Sequence, residues 1–312
     1  MGSYCFILRH QLKFLNNSNT RNLSFYSSGS DNGPVEQQQN QKPPQRIDLN
    51  SESSQHAGVK GLFESILRKF KTAMHIGLLM PMYVVTTMIL GAALFLPVVV
   101  VRSMYEYSQS FSFYWQCAFM GFSLGLAYFV YGFSMIAVIP TINFLFRANL
   151  KAWKGPYYSI ESVKWFIHNG LTYLIRFTFL EFVTPSPISN LFYKMMGMKI
   201  GKGVVINTTW ISDPSMIELG HKVTLGGSVT IVAHYGQGGI LILAPVKIGN
   251  GCTIGLKSSI MGGVTIGDNA KLLPHSVVMP KTVIPAGETW GGVPAHKIEI
   301  KQIYAVKKTD VA

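Results

Sequence analysis

The residues that could carry chemistry lie where a regular sequence pattern is interrupted, in the stretch AHYGQGGILILAP that begins at Ala233. His234 opens this stretch, and the glycines after it suit an excursion of the backbone from a regular structure. An imidazole titrates near physiological pH, so it can take a proton from one group and return it to another. Asp213, in SDPSMIELG, is a carboxylate that could orient this imidazole or bind an amine, but it could equally cap a turn.

The pattern on the carboxyl side is an aliphatic residue at every sixth position: Ile248, Ile254, Ile260, Ile266, Leu272, Val278 and Ile284. Helices and ordinary strands impose periods of about 3.6 and 2.0 residues, so neither explains this interval. The fourth residue after most of these aliphatics is small or thin: Cys252, Ser258, Val264, Ala270 and Ser276. The same design occurs earlier, at Leu219, Leu225 and Ile231, and from Ile200 to Ile206. This pattern predicts a hexapeptide-repeat β-helix, a stack of triangular coils in which each coil contacts its neighbours.

The repeat and the closing segment GGVPAHKIEI (291–300) resemble the left-handed β-helix acyltransferases of the hexapeptide-repeat superfamily. A closer similarity is to the membrane-bound module at the end of non-ribosomal peptide synthetases of the poly-lysine-synthetase type. WKGPYY (153–158), the Ala-His pair before the excursion and LAPVKIG (243–249) carry this closer similarity, which covers about residues 75–300. The sequence shows no adenylation, carrier or condensation domain, so peptide synthesis cannot be inferred from it. We expect a mixed fold, an N-terminal α-helical membrane region followed by a left-handed parallel β-helix.

This resemblance implies transfer of an acyl group from a coenzyme A or carrier thioester to a hydroxyl or amine. Acetyl-CoA or another acyl thioester would be the co-substrate, without a metal. A histidine just before the extended loop is the general base in that family, which gives the role to His234. Main-chain amides along the groove stabilise the oxyanion there, here at Gly255 and Leu256. Basic residues near the last coil would meet the phosphates of coenzyme A: Lys281, His296 and Lys297. LLPH at 272–275 replaces a glycine-rich corner of the family, so a bulkier thioester remains open.

Two other functions remain open. Prisms of this family form homotrimers with the active histidine between neighbours, and a catalytically silent membrane scaffold could use the β-helix only to trimerise.

A γ-type carbonic anhydrase is similar in the repeat alone; its zinc needs three protein ligands, two of them from a close His-x4-His pair. His221, His234 and His275 lack that spacing. Whether His275 stacks over His234 depends on whether the loop at 235–241 is an insertion or replaces part of a coil.

Two long apolar segments precede the repeat. No Asp, Glu, Lys or Arg occurs in residues 72–101 or 107–146. A helix of about 20 apolar residues crosses a bilayer core, so we predict spans at about 75–101 and 113–146, with buried core helices as the alternative. Basic residues lie beyond the far end of each span, which places those ends and the β-helix on the cytoplasmic side.

A third apolar segment, at about 163–184, is interrupted by His168, Arg176 and Glu181. Charges are unfavourable at the centre of a bilayer, so this segment is predicted to be an amphipathic helix rather than a span. It would lie in the membrane interface or against the two spans.

The composition favours an integral membrane protein, because 48% of the 312 residues are hydrophobic and 13% are charged. The net charge of +13 is uneven, with basic clusters beside the apolar segments that would contact lipid headgroups. No recognition module accompanies the charge, which argues against nucleic acid. Three cysteines far apart exclude a disulfide framework and suggest a reducing compartment for the soluble part.

The first 57 residues have the composition of a disordered tail, and the first 30 lack Asp and Glu. That composition suits an organelle transit peptide as well as a mobile basic tail. Anchoring by the two predicted spans favours a small-molecule or lipid-linked acceptor, whose identity the sequence does not give. The expected domains are a tail (1–57), a membrane region (58–194), the β-helix acyltransferase domain (195–300) and a second tail (301–312).

Overall fold

A computed structural model of the chain describes residues 58–299, with all side chains except those of residues 71–76, 78 and 79. The two predicted tails, with the targeting composition of the first, lie outside the described residues. Helices occupy the first half of the described range and short parallel strands the second. This order agrees with the expected mixed fold.

Two long helices make up the apolar part of the chain. Helix α1 (Gly58–Tyr107) is followed by a 3₁₀ turn (Ser108–Ser110) and by helix α2 (Phe113–Leu145). The stretches Met80–Ser110 and Phe113–Leu145 are long and apolar enough to cross a membrane, as judged by length and composition alone. Only 17% and 33% of their most apolar windows are buried inside the protein. Their apolar surface is therefore largely left without a partner from this chain.

A short strand and two further helices connect this pair to the repeat. Strand β1 (Trp153–Pro156) precedes helix α3 (Ile160–Ile175), which Ser159 caps by accepting a hydrogen bond from the Ser162 amide at 3.2 Å. A π-helical turn (Arg176–Leu180) continues α3, and helix α4 (Pro187–Met195) leads into the first coil.

Helix α3 covers the first part of the predicted amphipathic segment and packs against α2, which is one of the two predicted placements. Polar residues of the segment also contact the β-helix. Arg176 is buried and donates from Nη2 to the carbonyl of Ile211 in the first coil, at 2.7 Å. His168 is completely buried, and the carboxylate of Glu181 accepts a hydrogen bond from Thr209. Among residues 58–299, this segment is not one of the helices long and apolar enough to cross a membrane. The protein itself shields two of these three side chains.

The repeat forms three parallel sheets that close into a triangular prism. The first sheet contains β2 (Lys199–Ile200), β5 (Ile217–Leu219), β10 (Val246–Ile248), β13 (Thr265–Ile266) and β16 (Val283–Ile284). The second contains β3 (Val205–Ile206), β6 (Thr224–Leu225), β11 (Thr253–Ile254), β14 (Lys271–Leu272) and β17 (Thr289–Gly291). The third contains β4 (Ile211–Ser212), β7 (Thr230–Val232), β12 (Ser259–Ile260) and β15 (Val277–Val278). Strand β18 (His296–Lys297) pairs antiparallel with β17 at the end of the prism.

The six-residue interval places every predicted aliphatic from Ile206 to Ile284 inside the prism, each at most 3% exposed. The small residues beside them are also fully buried, so Cys252 fills an interior slot as predicted. The corners take left-handed backbone at Asn269, with φ of 58°, but also at lysines such as Lys257, with φ of 55°. A non-glycine residue in this region costs about 1 kcal/mol, which the hydrogen bonds between coils offset.

The excursion after Ala233 is an insertion, which settles the question that the sequence left open. Strands β8 (His234–Gln237) and β9 (Ile240–Leu243) form an antiparallel hairpin, and β9 also pairs antiparallel with β1. The amide of Ala244 donates to the carbonyl of Ala233 at 2.8 Å and closes the base of the hairpin. Strand β12 stacks on β7 and β10 on β5, so the coils continue in register on both sides of the insertion.

A buried polar chain joins the end of α2 to the first coil. His168 contacts Asn143 Oδ1 through Nδ1 at 2.8 Å and Ser215 Oγ through Nε2 at 3.4 Å. Asn143 Nδ2 in turn donates to Asn149 Oδ1 at 2.8 Å. Burial lowers the pKa of His168 to about 4, although the charge of Asp213 acts in the opposite direction. His168 is therefore neutral at physiological pH and acts as a structural link.

The substitution Ile260→Ala should lower the free energy of unfolding by about 2–5 kcal/mol, because a fully buried side chain would leave a cavity between coils. Thr253→Ala, on the exposed face of the same coil, should stay within about 0.5 kcal/mol of wild type. Denaturant unfolding of the solubilised protein measures both. Equal effects of the two substitutions would contradict the assignment of inward and outward faces.

Acidification should destabilise the folded protein through His168. Between the ordinary pKa of 6.5 and the folded value of about 4, the unfolded chain binds a proton that the folded chain does not. The stability contributed by the neutral ring is therefore complete above the unfolded pKa and is lost as the pH falls toward 4. We expect a loss of about 2 kcal/mol between pH 7.5 and pH 5, measured by denaturant unfolding. His168→Gln should lack this part of the loss, and an unchanged pH dependence in that variant would exclude His168 as its source.

Candidate active site

His234 and Asp213 lie at the same corner of the prism, where the third sheet passes into the first. This dyad corner contains residues 213–216, 233–245, 262–263 and 280–281 of successive coils. Asp213 follows β4 in the first coil, and His234 begins the hairpin one coil later. His234 Nδ1 lies 2.5 Å from Asp213 Oδ2. Two residues that are 21 positions apart in sequence therefore form one hydrogen-bonded pair.

The Asp213 carboxylate is completely buried and surrounded by hydrogen-bond donors. The Ala233 amide donates to Oδ2 at 3.0 Å, and Asn169 Nδ2 donates to Oδ1 at 2.7 Å. Burial alone would raise the pKa of this carboxyl, but the hydrogen bonds and charge of His234, together with Asn169, hold the pKa below its ordinary value. Asp213 is therefore ionised at neutral pH and accepts the Nδ1 proton of His234.

This arrangement fixes the tautomer of His234. With Nδ1–H donating to the carboxylate, the lone pair of the neutral ring is on Nε2. The side chain is 21% exposed, and no protein group within residues 58–299 forms a hydrogen bond with Nε2. The ring can therefore accept a proton from a molecule that enters the corner.

Helix α3 supplies two residues to the dyad that the sequence analysis did not identify. The Trp165 ring lies edge-on to the His234 ring, with centroids 4.9 Å apart. Asn169, one helical turn later, donates to Asp213 and also to the Trp165 carbonyl at 3.1 Å. Their four-residue spacing marks one face of the helix, but the sequence gives no sign that this face contacts a corner of the β-helix.

The next two coils continue the dyad corner with glycine and then lysine. A Cβ atom built on Gly262 would lie 3.0 Å from the His234 amide nitrogen, so Gly262 is directly next to the start of the hairpin. Gly263 has φ of 82°, and the Lys281 amide donates to the Gly262 carbonyl at 3.1 Å. Of the residues predicted to bind cofactor, Lys281 is thus on the same corner as His234, two coils away.

The other predicted cofactor residues do not converge on His234 within the chain. Gly255 and Leu256 lie at the corner between the second and third sheets, and the Gly255 amide already donates to the Leu272 carbonyl at 2.8 Å. This amide is engaged between coils, so it does not support the predicted oxyanion role. His296 and Lys297 are exposed on β18, where Lys297 Nζ pairs with Glu288 Oε1 at 2.6 Å.

Three histidines considered as metal ligands lie at three different corners of the prism. His221 follows β5, His234 follows β7 and His275 follows β14. His275 therefore does not stack over His234. Across residues 58–299, no group of three His, Cys, Asp or Glu side chains could hold a metal ion.

Comparison with known proteins finds similarity to transferases in part of the chain. Residues 245–280 match the family model described as bacterial transferase hexapeptide (six repeats). The chain is 23% identical over 177 residues to a delta-poly-L-ornithine synthetase of Acinetobacter baumannii, covering 55% of this chain and 13% of the relative. It is 32% identical over 115 residues to a 2,3,4,5-tetrahydropyridine-2,6-dicarboxylate N-succinyltransferase of Polynucleobacter asymbioticus, covering 35% of this chain and 39% of that protein. The chain thus spans well under half of the length of either relative.

Among solved structures, a hexapeptide-repeat acetyltransferase of Vibrio cholerae in complex with acetyl coenzyme A aligns with a TM-score of 0.39 and 19% identity. The alignment covers 49% of this chain and 96% of that one. The sequence matches confirm the predicted resemblance: the chain carries the bacterial transferase hexapeptide repeat and is similar to hexapeptide-repeat acyltransferases.

Proposed function

We propose that the protein is a membrane-anchored acyltransferase that moves an acyl group from a coenzyme A or carrier thioester to a hydroxyl or amine. The observation that carries this proposal is the His234–Asp213 pair, which lies at the base of the hairpin that interrupts the β-helix. A buried carboxylate that orients a partly exposed imidazole suits general base catalysis. The similarity to an N-succinyltransferase supports acyl transfer as the reaction.

In this mechanism Nε2 of His234 removes the proton from the acceptor hydroxyl or amine as its oxygen or nitrogen attacks the thioester carbonyl. Asp213 accepts the Nδ1 proton throughout and stabilises the imidazolium that forms. When the tetrahedral intermediate collapses, the carbon–sulfur bond breaks and the imidazolium returns its proton to the thiolate. The acyl group is then on the acceptor, and the ring is neutral again.

The donor would lie along the dyad corner. Gly262 and Gly263 have no side chains, which lets successive coils pack closely against the start of the hairpin at His234. Lys281, exposed further along the same corner, would meet the phosphates of coenzyme A. Leu256, His296 and Lys297 would contribute from a neighbouring copy of the chain in a homotrimer.

Helices α1 and α2 would anchor the enzyme by crossing the membrane, with lipid covering their exposed apolar surfaces. The basic residues after α2, Arg147 and Lys151, favour the cytoplasmic side for the β-helix, which we take to be left-handed as in the resembled family. The same anchor would suit a silent scaffold. A silent scaffold, however, needs no imidazole that a buried carboxylate orients and whose Nε2 is left without a protein partner within residues 58–299, so the dyad favours catalysis.

Substitution of either residue of the dyad should strongly reduce transfer. His234→Ala removes the base and should lower kcat by about 10²–10⁴-fold. Asp213→Asn keeps the shape but offers an N–H to Nδ1, which favours the wrong tautomer, so a loss of similar size is expected. Detergent-solubilised protein with radiolabelled acetyl-CoA and a panel of hydroxyl and amine acceptors measures this.

His221→Ala, at a different corner, is the matched control and should keep wild-type activity. Full activity of His234→Ala would remove the base assignment. Wild-type protein that forms trimers but uses no thioester would favour the scaffold, and bound zinc would favour the metal enzyme.

Gly262→Ala should lower activity without preventing folding. The added methyl group would lie 3.0 Å from the His234 amide and 3.1 Å from the Ala233 carbonyl carbon, so the start of the hairpin must shift by a few tenths of an ångström. We expect kcat to fall roughly tenfold because the base is displaced from the thioester. Gly227→Ala, whose nearest atom is 3.7 Å away at another corner, should not reduce kcat. Equal kcat values in the two variants would contradict the inference that close packing at Gly262 positions His234.

A further inference from the structure

A cavity lies between the end of α2, strand β1 and the start of α3. This cavity, called the basic pocket, has a volume of about 890 Å³. Its lining includes Leu145, Arg147, Asn149, Lys151, Trp153 and Lys164. None of these residues belongs to the mechanism described above.

The charges around the basic pocket are unbalanced. Lys164 pairs with Glu161, with Nζ and Oε1 2.9 Å apart, and Glu161 is the one carboxylate in the lining. Arg147 and Lys151 are exposed and have no carboxylate partner within residues 58–299. Two uncompensated cations at one cavity suit a phosphate or a similar anion.

The pocket also has an apolar wall. Phe144 and Leu145, in the last turn of α2, line the cavity and are 77% and 69% exposed. Large exposed apolar side chains beside cations suit an amphiphile, whose chain covers the apolar wall while its anionic headgroup meets the cations. A free phosphate would leave that wall uncovered.

The basic pocket and the dyad share two structural elements. Trp153 in β1 lies opposite Leu243, which lies opposite His234 across the hairpin. Two strand spacings place the backbone of Trp153 about 10 Å from that of His234. On α3, Lys164 of the pocket directly precedes Trp165, whose ring contacts the His234 ring. The basic pocket and the dyad are therefore adjacent along both elements.

The polar floor of the pocket is already ordered. Asn149 accepts a hydrogen bond from Asn143, which His168 contacts in turn. The side chain of Asn149 is therefore held in place before any ligand enters, which lowers the entropy that binding must overcome.

We propose that the basic pocket holds the phosphate of a membrane amphiphile and that this amphiphile is the class of acceptor on which the dyad acts. The second part rests on the proposed acyltransferase function. The phosphate would contact Arg147 and Lys151, the chain would leave along Phe144 and Leu145, and a hydroxyl of the headgroup would extend toward His234.

Binding and acylation of three probes by the detergent-solubilised full chain test this proposal. Lysophosphatidic acid has a phosphate, a free hydroxyl and one acyl chain; monoacylglycerol lacks the phosphate, and glycerol 3-phosphate lacks the chain. We expect calorimetry to show tight binding of lysophosphatidic acid but not of the other two probes. Radiolabelled acetyl-CoA should then transfer its label to lysophosphatidic acid. Monoacylglycerol binding equally well would exclude the cations as the recognition element. Equal binding of glycerol 3-phosphate would assign the pocket to a soluble phosphate.

The variant R147Q/K151Q should bind lysophosphatidic acid roughly 30-fold more weakly, because two cations near a surface phosphate are lost. K247Q/K271Q, which removes two exposed lysines of the β-helix, should bind like wild type. His234→Ala should bind the lipid normally but not acylate it. If the wild-type protein acylates a soluble acceptor but does not bind the lipid, this inference is wrong and the proposed function stands. If the protein binds the lipid but acylates no acceptor, the proposed function is wrong and only the lipid site remains.

Discussion

The burial of the Asp213 carboxylate is the constraint on which the rest of the structure depends. An ionised group removed from water loses several kcal/mol of hydration unless donors replace the water. Here the donors come from three separate elements: the hairpin through His234, the coil through Ala233 and helix α3 through Asn169. The helical region and the prism are therefore coupled, because neither alone satisfies this acid.

His234 lies where the two halves of the protein meet. On one side are the helices, through Trp165, and on the other is the dyad corner that continues with Gly262 and Lys281. In the proposed reaction the donor approaches along the prism and the acceptor from the helices. Under this proposal, the helices support Asp213 and bring the acceptor side of the site to the membrane.

The sequence predicted the prism well because its signal is local and periodic, and every interior aliphatic from Ile206 onward is buried. His234 and Asp213 could be identified because one interrupts the period and the other is a carboxylate in a turn. Trp165 and Asn169 could not, since a contact between a helix and a distant coil leaves no period in the sequence. The sequence alone could not place Gly262 at the dyad corner, because that placement depends on knowing that the hairpin is an insertion in the coil. The sequence also could not show that Arg176 is buried against the first coil, because this contact depends on tertiary packing.

The hairpin emerges from one corner and returns to the same place, with Ala233 and Ala244 hydrogen-bonded at its neck. The packing of the stacked coils is therefore independent of the length of the hairpin. The tip of the hairpin can therefore change in length and sequence without disturbing the interior contacts of the coils, as long as His234 stays at the base of the hairpin. The prism can therefore keep its structure while the hairpin that begins at His234 changes.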